Sequence, residues 1–419
     1  MRRGAMSQQD RVVITGCGVV TPLADEPQAL FDALCAGRSA LRPLTLFAAA
    51  GGGRRRAAEL TDFDPRRDLG KVNVRPLDRV GRLATVAARR ALAASGWTDE
   101  RRAEHDVALV LGTMFGSVRT VTGFDHRALT AGPSYVKPLD FANTVINAAA
   151  GQTAIWHGLR GVSSTLAGGP TAGLQAIGYA ADLVRSGRAG AVLAGGVEEL
   201  CAESFLAFDR HGLLGDAANG SRSGPVPFDA RRAGFALGEG AALLMVESAR
   251  LAAARDAPVL AVVRGHGSAF DPRRGDDEGS AARALARAIA AALADAGLEA
   301  GDVDAVSASA NGSVSGDRRE ALGLLAAFGD GARELPITAV KSMLGETLGA
   351  AGALQTLALV EALARGVLPG IAGLGSLDDD LPLAGARAAS RRLDMARGLV
   401  TTTGFDGNVH ALIVERPAP

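Results

Sequence analysis

The chain has 419 residues, of which 47% are hydrophobic and 21% are charged, and its 45 Lys and Arg residues balance 45 Asp and Glu residues. This composition indicates a globular protein long enough for a large core or two fused domains, and its zero formal charge does not favour nucleic acid as a partner. The first apolar run, Val12-Val13-Ile14, is too short for a signal peptide or a membrane span, so we expect a cytoplasmic protein.

The first predicted strand, residues 11–20, ends in glycines and is followed by a helix over 28–36. Gly16-Cys17-Gly18 resembles the beginning of a dinucleotide-binding loop. However, Thr21 stands where the third glycine belongs, and no acidic residue follows a second strand at the expected distance. We interpret the glycines as a turn. A dinucleotide-binding oxidoreductase remains an alternative of another functional class.

Strand and helix patterns then alternate twice along the chain. The first series predicts helices and strands at residues 77–95, 107–111, 142–159 and 191–197, a loop that leads into a long strand within 228–247, and a helix at 249–255. The second predicts them at residues 259–267, 280–296, 303–307, 319–328, 337–340, 350–365, 398–403 and 410–414. Two such series indicate parallel sheets covered on both faces, in two similar halves that we place at 11–255 and 256–419.

A strand–turn–helix over residues 163–180 is rich in small residues. A turn of this kind presents the residue at its tip to the N-terminus of a helix, where an anion is favoured and where nucleophilic Cys or Ser often lies. The residue at the tip is Pro170, which has neither a nucleophilic atom nor an N–H group. Taken alone, this is an ordinary connection with proline in the first helical turn.

Several blocks in order give the chain a family resemblance from about residue 11 to about residue 415. They are Val13-Ile-Thr-Gly, Ala149-Ala-Gly-Gln, Ala194-Gly-Gly-Val-Glu, Pro227-Phe-Asp-Ala-Arg, Leu237-Gly-Glu-Gly, Lys341-Ser-Met-Leu-Gly and Leu348-Gly-Ala-Ala-Gly-Ala. The chain resembles a β-ketoacyl-ACP synthase. The resemblance implies an α/β, thiolase-like fold with two similar βαβ-rich halves packed as αβαβα layers. It also implies decarboxylative condensation, in which a Cys at the turn takes an acyl chain and two His residues polarise a malonyl thioester.

The residues that carry this chemistry in the family are replaced here. The nucleophilic Cys falls on Pro170, the first His on Ser309 and the second His on Glu346. Lys341 and Asp317 match their family counterparts, whereas a glutamate usual in the family falls on Gln355. We expect Glu346, if ionised, to repel an enolate.

No other residue takes over these roles in the alignment. Thr171 has a hydroxyl beside Pro170 but no matched base. None of the cysteines (Cys17, Cys35, Cys201) or histidines (His105, His126, His157, His211, His266, His410) maps to a catalytic position, and the cysteines have no metal-binding spacing. We therefore predict no intact catalytic residue, no cofactor and no metal.

Loss of all three residues from an otherwise matching scaffold resembles the chain-length factor, or ketosynthase β, of type II polyketide systems. This implies a non-catalytic subunit that forms a heterodimer with an active ketosynthase α and meets an acyl carrier protein. Product type stays open, with polyene, aromatic polyketide and fatty-acid-like chains all possible. The runner-up hypothesis is an active β-ketoacyl-ACP synthase or acyltransferase with unusual residues.

The resemblance also suggests a tunnel gate and a docking region. The helix after Gly112-Thr113 lies at the dimer interface in the family, so we predict that Val118 and Val121 on one of its faces, together with Phe405, line the acyl tunnel. Basic residues near the family's carrier-docking region are a candidate dock for an acidic carrier protein, or simply a solvated face: Arg66, Arg67, Lys71, Arg75, Arg79 and Arg82.

Overall fold

The computed structural model describes residues 11–48, 55–70, 73–215, 225–381 and 383–418. In the N-terminal half, the helices and strands are β1 (Val12–Val20), α1 (Pro27–Cys35), β2 (Arg42–Pro43), β3 (Arg56–Ala57), α2 (Arg66–Leu69), α3 (Arg79–Ala94), α4 (Asp99–Glu104), β4 (Val107–Gly112), α5 (Val118–Ala131), α6 (Pro138–Phe141), α7 (Ala148–His157), β5 (Ser163–Leu166), α8 (Ala172–Arg185), β6 (Ala191–Glu198), α9 (Ala202–Arg210), β7 (Gly240–Ser248) and α10 (Ala249–Ala254).

The same alternation continues in the C-terminal half. Its helices and strands are β8 (Ala261–Phe270), α11 (Glu278–Ala296), β9 (Ala305–Ser307), α12 (Val314–Phe328), β10 (Ile337–Thr338), α13 (Lys341–Leu344), α14 (Ala351–Arg365), β11 (Val367–Leu368), β12 (Arg391–Arg392), β13 (Arg397–Thr403) and β14 (Asn408–Glu415).

The large sheet contains the same five-strand unit twice. Its strand order is β10-β9-β13-β14-β8-β1-β7-β6-β4-β5, and the two units meet where β1 pairs with β8 over Val12–Ile14. From this junction outward, each half follows the order first, fifth, fourth, second and third strand of its own series. The prediction of two similar halves is therefore confirmed, whereas the boundary at 255/256 stays a prediction.

The sheet is mixed, so the prediction of parallel sheets was wrong. The second, third and fourth strands of each half are parallel, but β1, β7, β8 and β14 run antiparallel to their neighbours. In the N-terminal half, the last strand returns through a long connection containing α9 rather than through a helical crossover. Such a connection can reverse the chain direction, which strand patterns alone do not reveal.

Helices fill three layers around the sheet, which confirms the predicted thiolase-like αβαβα arrangement. Helices α8 and α14 pack on each other between the two halves. Helix α3 covers the outer face of the N-terminal half with α7, and α11 covers that of the C-terminal half with α12. No helix among the described residues is both long and apolar enough to cross a membrane.

Gly16 and Gly18 lie inside β1 rather than in a turn, which corrects that prediction. Cys17 and Gly18 pair with Leu244 and Leu243 of β7. A Cβ at Gly18 would lie 2.1 Å from the Ala87 carbonyl oxygen, so the glycines let α3 approach the strand closely. This geometry leaves no phosphate-binding loop at the end of β1.

The predicted helix over residues 142–159 begins later than expected. Residues 142–147 form turns, and helix α7 starts at Ala148. Val145 and Ile146 within these turns are exposed. Their apolar character therefore does not mark the buried face of a helix, as the prediction assumed.

Candidate functional site

The strand–turn–helix around Pro170 has the predicted form. A short 3-10 turn, Gly169–Thr171, joins β5 to α8, and all three of its residues are buried. Gly169 has a φ of +62°, and a Cβ there would lie 2.9 Å from Asp406 Oδ2. The turn thus sits against the loop that carries Phe405 and Asp406, and Pro170 gives it neither a nucleophile nor a backbone donor.

The hydroxyl of Thr171, beside Pro170, is already engaged. It donates to the Gly168 carbonyl oxygen at 2.7 Å and accepts from Gln175 Nε2 at 2.9 Å. Neither partner is a base, so the geometry does not activate this hydroxyl as a nucleophile.

Ser309 lies just beyond β9 and joins several elements. Its backbone N–H donates to Glu320 Oε1 at 2.8 Å, and its Oγ accepts from the Thr403 N–H at 3.1 Å. Lys341 Nζ lies 3.5 Å from the same oxygen. The hydroxyl therefore links β9, β13 and the segment that starts α13.

Glu346 forms a buried ion pair with Lys341, with 2.7 Å between Glu346 Oε2 and Lys341 Nζ. Asn311 Nδ2 donates to the same oxygen at 2.9 Å, and the Leu348 N–H donates to Oε1 at 3.0 Å. The carboxylate is thus fully partnered by the chain. Because Lys341 balances the charge of Glu346, the repulsion of an enolate that we expected from Glu346 is reduced.

Two more carboxyl groups lie beneath Ser309. Burial raises the pKa of Glu320 to about 7, against the opposing effect of its hydrogen bond from Thr401 Oγ1, and Glu320 Oε2 has no partner. Burial likewise raises the pKa of Asp317 to about 6, although Asp317 accepts backbone N–H groups of Phe228, Asn311 and Gly312. A cavity of about 50 Å³ brings both carboxyls together with Ser309 and Phe405.

Gln355, which stands at a family glutamate position, acts as a strand clamp. Its Nε2 donates to the carbonyl oxygens of Ser307, Ala308 and Thr401. These bonds hold β9 and β13 side by side directly below Ser309 and Thr403. An amide suits this place because a carboxylate could not donate to carbonyl groups.

Phe405 belongs to an aromatic cluster at the mouth of the site. Its ring centroid lies 5.7 Å from that of Phe235 and 5.4 Å from that of Phe208. Phe208 in turn meets Phe115, which follows β4. The cluster therefore connects the loop after β13 with the turn that leads into α5.

Glu198 is a residue of the site that the sequence reasoning missed. It ends β6 and accepts from the N–H groups of Met114, Phe115 and Gly349 at 2.7, 3.0 and 3.1 Å. Burial raises its pKa to about 7, against the lowering effect of these bonds. Two sequence signals were present: Glu198 is a charged residue at the end of an otherwise apolar strand, and it ends the matched block Ala194-Gly-Gly-Val-Glu.

The structure unites some of the predicted site residues and leaves others apart. Ser309, Lys341 and Glu346 form one hydrogen-bonded group, and Phe405 shares the cavity with Ser309. The Pro170 turn contacts the turn that follows Glu346. Val118 and Val121 are half-buried on α5 and do not line this cavity.

The cysteines and buried histidines lie away from this group. Burial raises the pKa of Cys17 and Cys35, and raises that of Cys201 to about 12, so their thiols are inert. His157 Nε2 donates to the Thr85 carbonyl oxygen, and His410 stacks on His266. Among the described residues, no group of His, Cys, Asp and Glu is arranged to hold a metal ion.

The candidate docking arginines differ in whether they are accessible to a partner. Arg66, Arg67 and Arg75 are exposed, whereas Lys71 lies outside the described residues. Arg79 is not available for docking, which corrects that part of the prediction. It binds the buried Glu239 through Nε at 2.8 Å and Nη2 at 2.6 Å.

Comparisons with known proteins match the sequence and the fold of this chain to one family. Residues 9–252 match the model of the β-ketoacyl synthase N-terminal domain, and residues 260–374 match that of the C-terminal domain. The 3-oxoacyl-[acyl-carrier-protein] synthase 2 of Coxiella burnetii is 31% identical over 98% of this chain and 99% of its own. The ketoacyl synthase beta subunit of the tetracenomycin polyketide synthase of Streptomyces glaucescens is 33% identical over 98% of this chain and 100% of its own.

Two solved structures extend the likeness. The ishigamide ketosynthase/chain length factor superposes with a TM-score of 0.90 at 31% identity, over 97% of this chain and 99% of its own. A type II polyketide synthase ketosynthase in complex with its acyl-carrier protein superposes with a TM-score of 0.84 at 25% identity, over 97% of this chain and 99% of its own. With both domain models matched across a duplicated five-strand fold, the chain belongs to the β-ketoacyl synthase family.

Proposed function

We propose that this chain is a non-catalytic ketosynthase-like subunit, a chain-length factor, which pairs with an active ketosynthase and shapes the acyl tunnel in type II polyketide or fatty-acid-like chain elongation. The observation that carries the proposal is the group at the reactive positions. Pro170 cannot bear an acyl chain, Ser309 is held by Thr403 and Lys341, and Glu346 is locked to Lys341.

The chemistry of condensation supports this assignment. An acyl transfer needs a nucleophile and donors aimed at the developing oxyanion. Proline at the helix start supplies neither, and Glu346 offers an acceptor where a donor is required. The residues at these positions are nevertheless buried in the fold, which fits a subunit retained for its shape.

An active enzyme with unusual residues is the second candidate, and the geometry disfavours it. A serine nucleophile at 309 would need Lys341 as its base, but Lys341 Nζ lies 3.5 Å from Ser309 Oγ and 2.7 Å from Glu346. Because Lys341 is closer to the Glu346 carboxylate than to the Ser309 hydroxyl, it is poorly placed to accept a proton from that hydroxyl.

An open sheet edge and an apolar surface beside it support a partner subunit. Strand β5 is at the edge of the sheet and is partly accessible. The segment from α5 to α7 exposes large apolar side chains to solvent, among them Leu129 at 86%, Phe141 at 66% and Ile155 at 78%. Such an edge and patch are rarely left open in a monomer, and a second subunit of the same fold would cover both. We name Leu129, Tyr135, Leu139, Phe141, Val145, Ile146 and Ile155 the apolar patch.

Co-expression with a Cys-His-His ketosynthase and an acyl carrier protein from the same organism tests the proposal. We expect the two synthase-like chains to copurify in equal amounts and to make β-ketoacyl products only together. Ile155→Glu should abolish copurification. Val259→Glu, at another exposed apolar residue, should leave it intact. A chain that condenses carrier-bound substrates by itself would overturn the proposal.

A further inference from the structure

A polar cleft of about 400 Å³ lies behind α5, apart from the site described above. Its walls are the start of α3, the polar face of α5, Asp140 of α6 and Glu199, which follows β6. Thr120, Gly123 and Arg127 share the face of α5 that lines the cleft, since they are three and four residues apart. Val118 and Val121 lie on the opposite face of the same helix.

Three arginines around the cleft lack a carboxylate partner within the described part of the chain. Arg82, Arg119 and Arg127 line it, and none of them forms an ion pair there. Arg82 Nε is buried and has no hydrogen-bond partner. An unpartnered buried donor is costly, so a ligand acceptor at this place would satisfy it.

The acidic residues of the cleft oppose an anion less than their number suggests. Asp78 caps α3 by accepting from the Gly81 N–H and also accepts from Thr120 Oγ1 at 3.1 Å. Glu199 is 4% exposed, and its Oε1 has no partner. Burial, with Asp78 nearby, raises the pKa of Glu199 to about 8, so its carboxyl is mostly protonated at neutral pH and can donate a hydrogen bond to a ligand. Asp78 and Asp140 stay charged, and the three arginines outnumber them.

We propose that this cleft binds a small oxyanion, a phosphate- or sulfate-like group, between Arg82 of α3 and Arg119 and Arg127 of α5. Guanidinium groups form strong charge-assisted bonds with such oxygens. Helix α5 has no fully buried residue in this chain and is tied to α3 through the Thr120–Asp78 bond. A bound oxyanion would therefore brace α5 from the face opposite Val118 and Val121.

Calorimetric titration of the full chain with sulfate and with pyrophosphate, at constant ionic strength, tests this site. We expect saturable binding that weakens at least tenfold in Arg82→Gln and in Arg127→Gln. Arg89→Gln, an exposed arginine on α3 outside the cleft, should bind like the wild type. Arg127 is exposed, so its variant should fold even where Arg82→Gln does not.

The pH dependence gives a second readout. The charge of sulfate does not change between pH 7 and 9, so its affinity should fall over that range as Glu199 loses its proton, and Glu199→Gln should remove the fall. The proposal would be overturned if the wild type showed no saturable binding. It would also be overturned if the Arg82 and Arg127 variants bound sulfate as tightly as the wild type. Binding of an acidic carrier protein at these arginines with no competition from sulfate would overturn it too, because that describes an open docking surface.

Discussion

Lys341 Nζ lies 2.7 Å from Glu346 Oε2, and the two side chains are 3% and 1% exposed. Glu346 is the residue that the family resemblance assigns to a histidine position. The ion pair explains how a carboxylate can be buried in the centre of this fold. The contribution of the Lys341–Glu346 pair to stability can be measured by substituting either residue.

Breaking this pair from one side should destabilise the protein strongly. Lys341→Met leaves a buried carboxylate without its cation, so we expect a loss of about 3–5 kcal/mol in the free energy of unfolding. Lys341→Met combined with Glu346→Leu should recover most of that loss, since no buried charge is left. Urea unfolding measures both values. A double variant as unstable as the single one would show that the ion pair itself supplies the stability.

Restoring the nucleophile should not restore condensation. We expect no β-ketoacyl product from the isolated Pro170→Cys variant with acyl and malonyl carrier proteins, because both histidine donors are still absent. Mass spectrometry of the carrier-bound products measures this, with an intact Cys-His-His synthase as the positive control. Product formed by the wild-type chain would contradict the assignment of a non-catalytic subunit.

Buried histidine should make the protein less stable in acid. Burial lowers the pKa of His410 to about 3, from an ordinary value of 6.5, so its stabilising contribution is present above pH 6.5. As pH falls from 6.5 towards 3, the unfolded chain binds a proton that the folded chain does not. Stability then falls by up to about 1.4 kcal/mol per pH unit for this group.

The buried glutamates act in the opposite direction, so the variant and wild type must be compared. The raised pKa of Glu198, about 7, favours the folded chain at low pH, and this advantage is lost as pH rises from 4.5 through 7. His410→Leu should therefore flatten the acid side of the stability curve while Glu198 still contributes. Chemical unfolding at several pH values measures the slopes. Equal slopes in the variant and wild type would exclude His410 as the cause.

Larger side chains on the Val118 face of α5 should shorten the product. Val118→Phe and Val121→Phe add volume that a packed tunnel cannot absorb by expanding. We expect shorter chains from the reconstituted heterodimer at unchanged dimer yield, measured by mass spectrometry. Thr130→Phe, on another face of α5, serves as the control. Unchanged length in both valine variants would remove α5 from length control.

Charge reversal at the exposed arginines should affect carrier docking, whereas reversal at Arg79 should affect folding. Arg66→Glu combined with Arg67→Glu should lower the turnover of the heterodimer at low salt. The effect should be smaller at high salt, because salt screens the electrostatic attraction of the acidic carrier protein. Arg79→Glu should lower stability at any salt concentration, since it places a second carboxylate against the buried Glu239. Turnover at several salt concentrations, with thermal unfolding, separates the two. Loss of turnover in the Arg66/Arg67 variant that salt does not change would argue against docking there.

The alternation of strands and helices could be predicted because it follows from local pattern. The assignment of Pro170, Ser309 and Glu346 to the three reactive positions rests on matched sequence blocks and stays a prediction. The sequence could not predict that Lys341 pairs with Glu346, because that contact depends on the buried turn that ends α13. Nor could it predict that Glu239 binds Arg79, 160 residues away, because that contact depends on how α3 packs against β7. The direction of β7 and the placement of Gly16 inside β1 were also out of reach. Each is decided by a neighbouring strand or helix far along the chain.

The central position of β1 has a consequence for synthesis of the protein. Strand β1 is made before the other strands of the sheet, yet its two neighbours are β7, starting at Gly240, and β8, starting at Ala261. Both edges of an apolar, fully buried strand therefore stay unpaired until more than half of the chain has been made. In the nascent chain this segment is an unpaired, aggregation-prone strand. We therefore expect the yield of folded protein in a foreign host to depend on chaperone supply and translation speed.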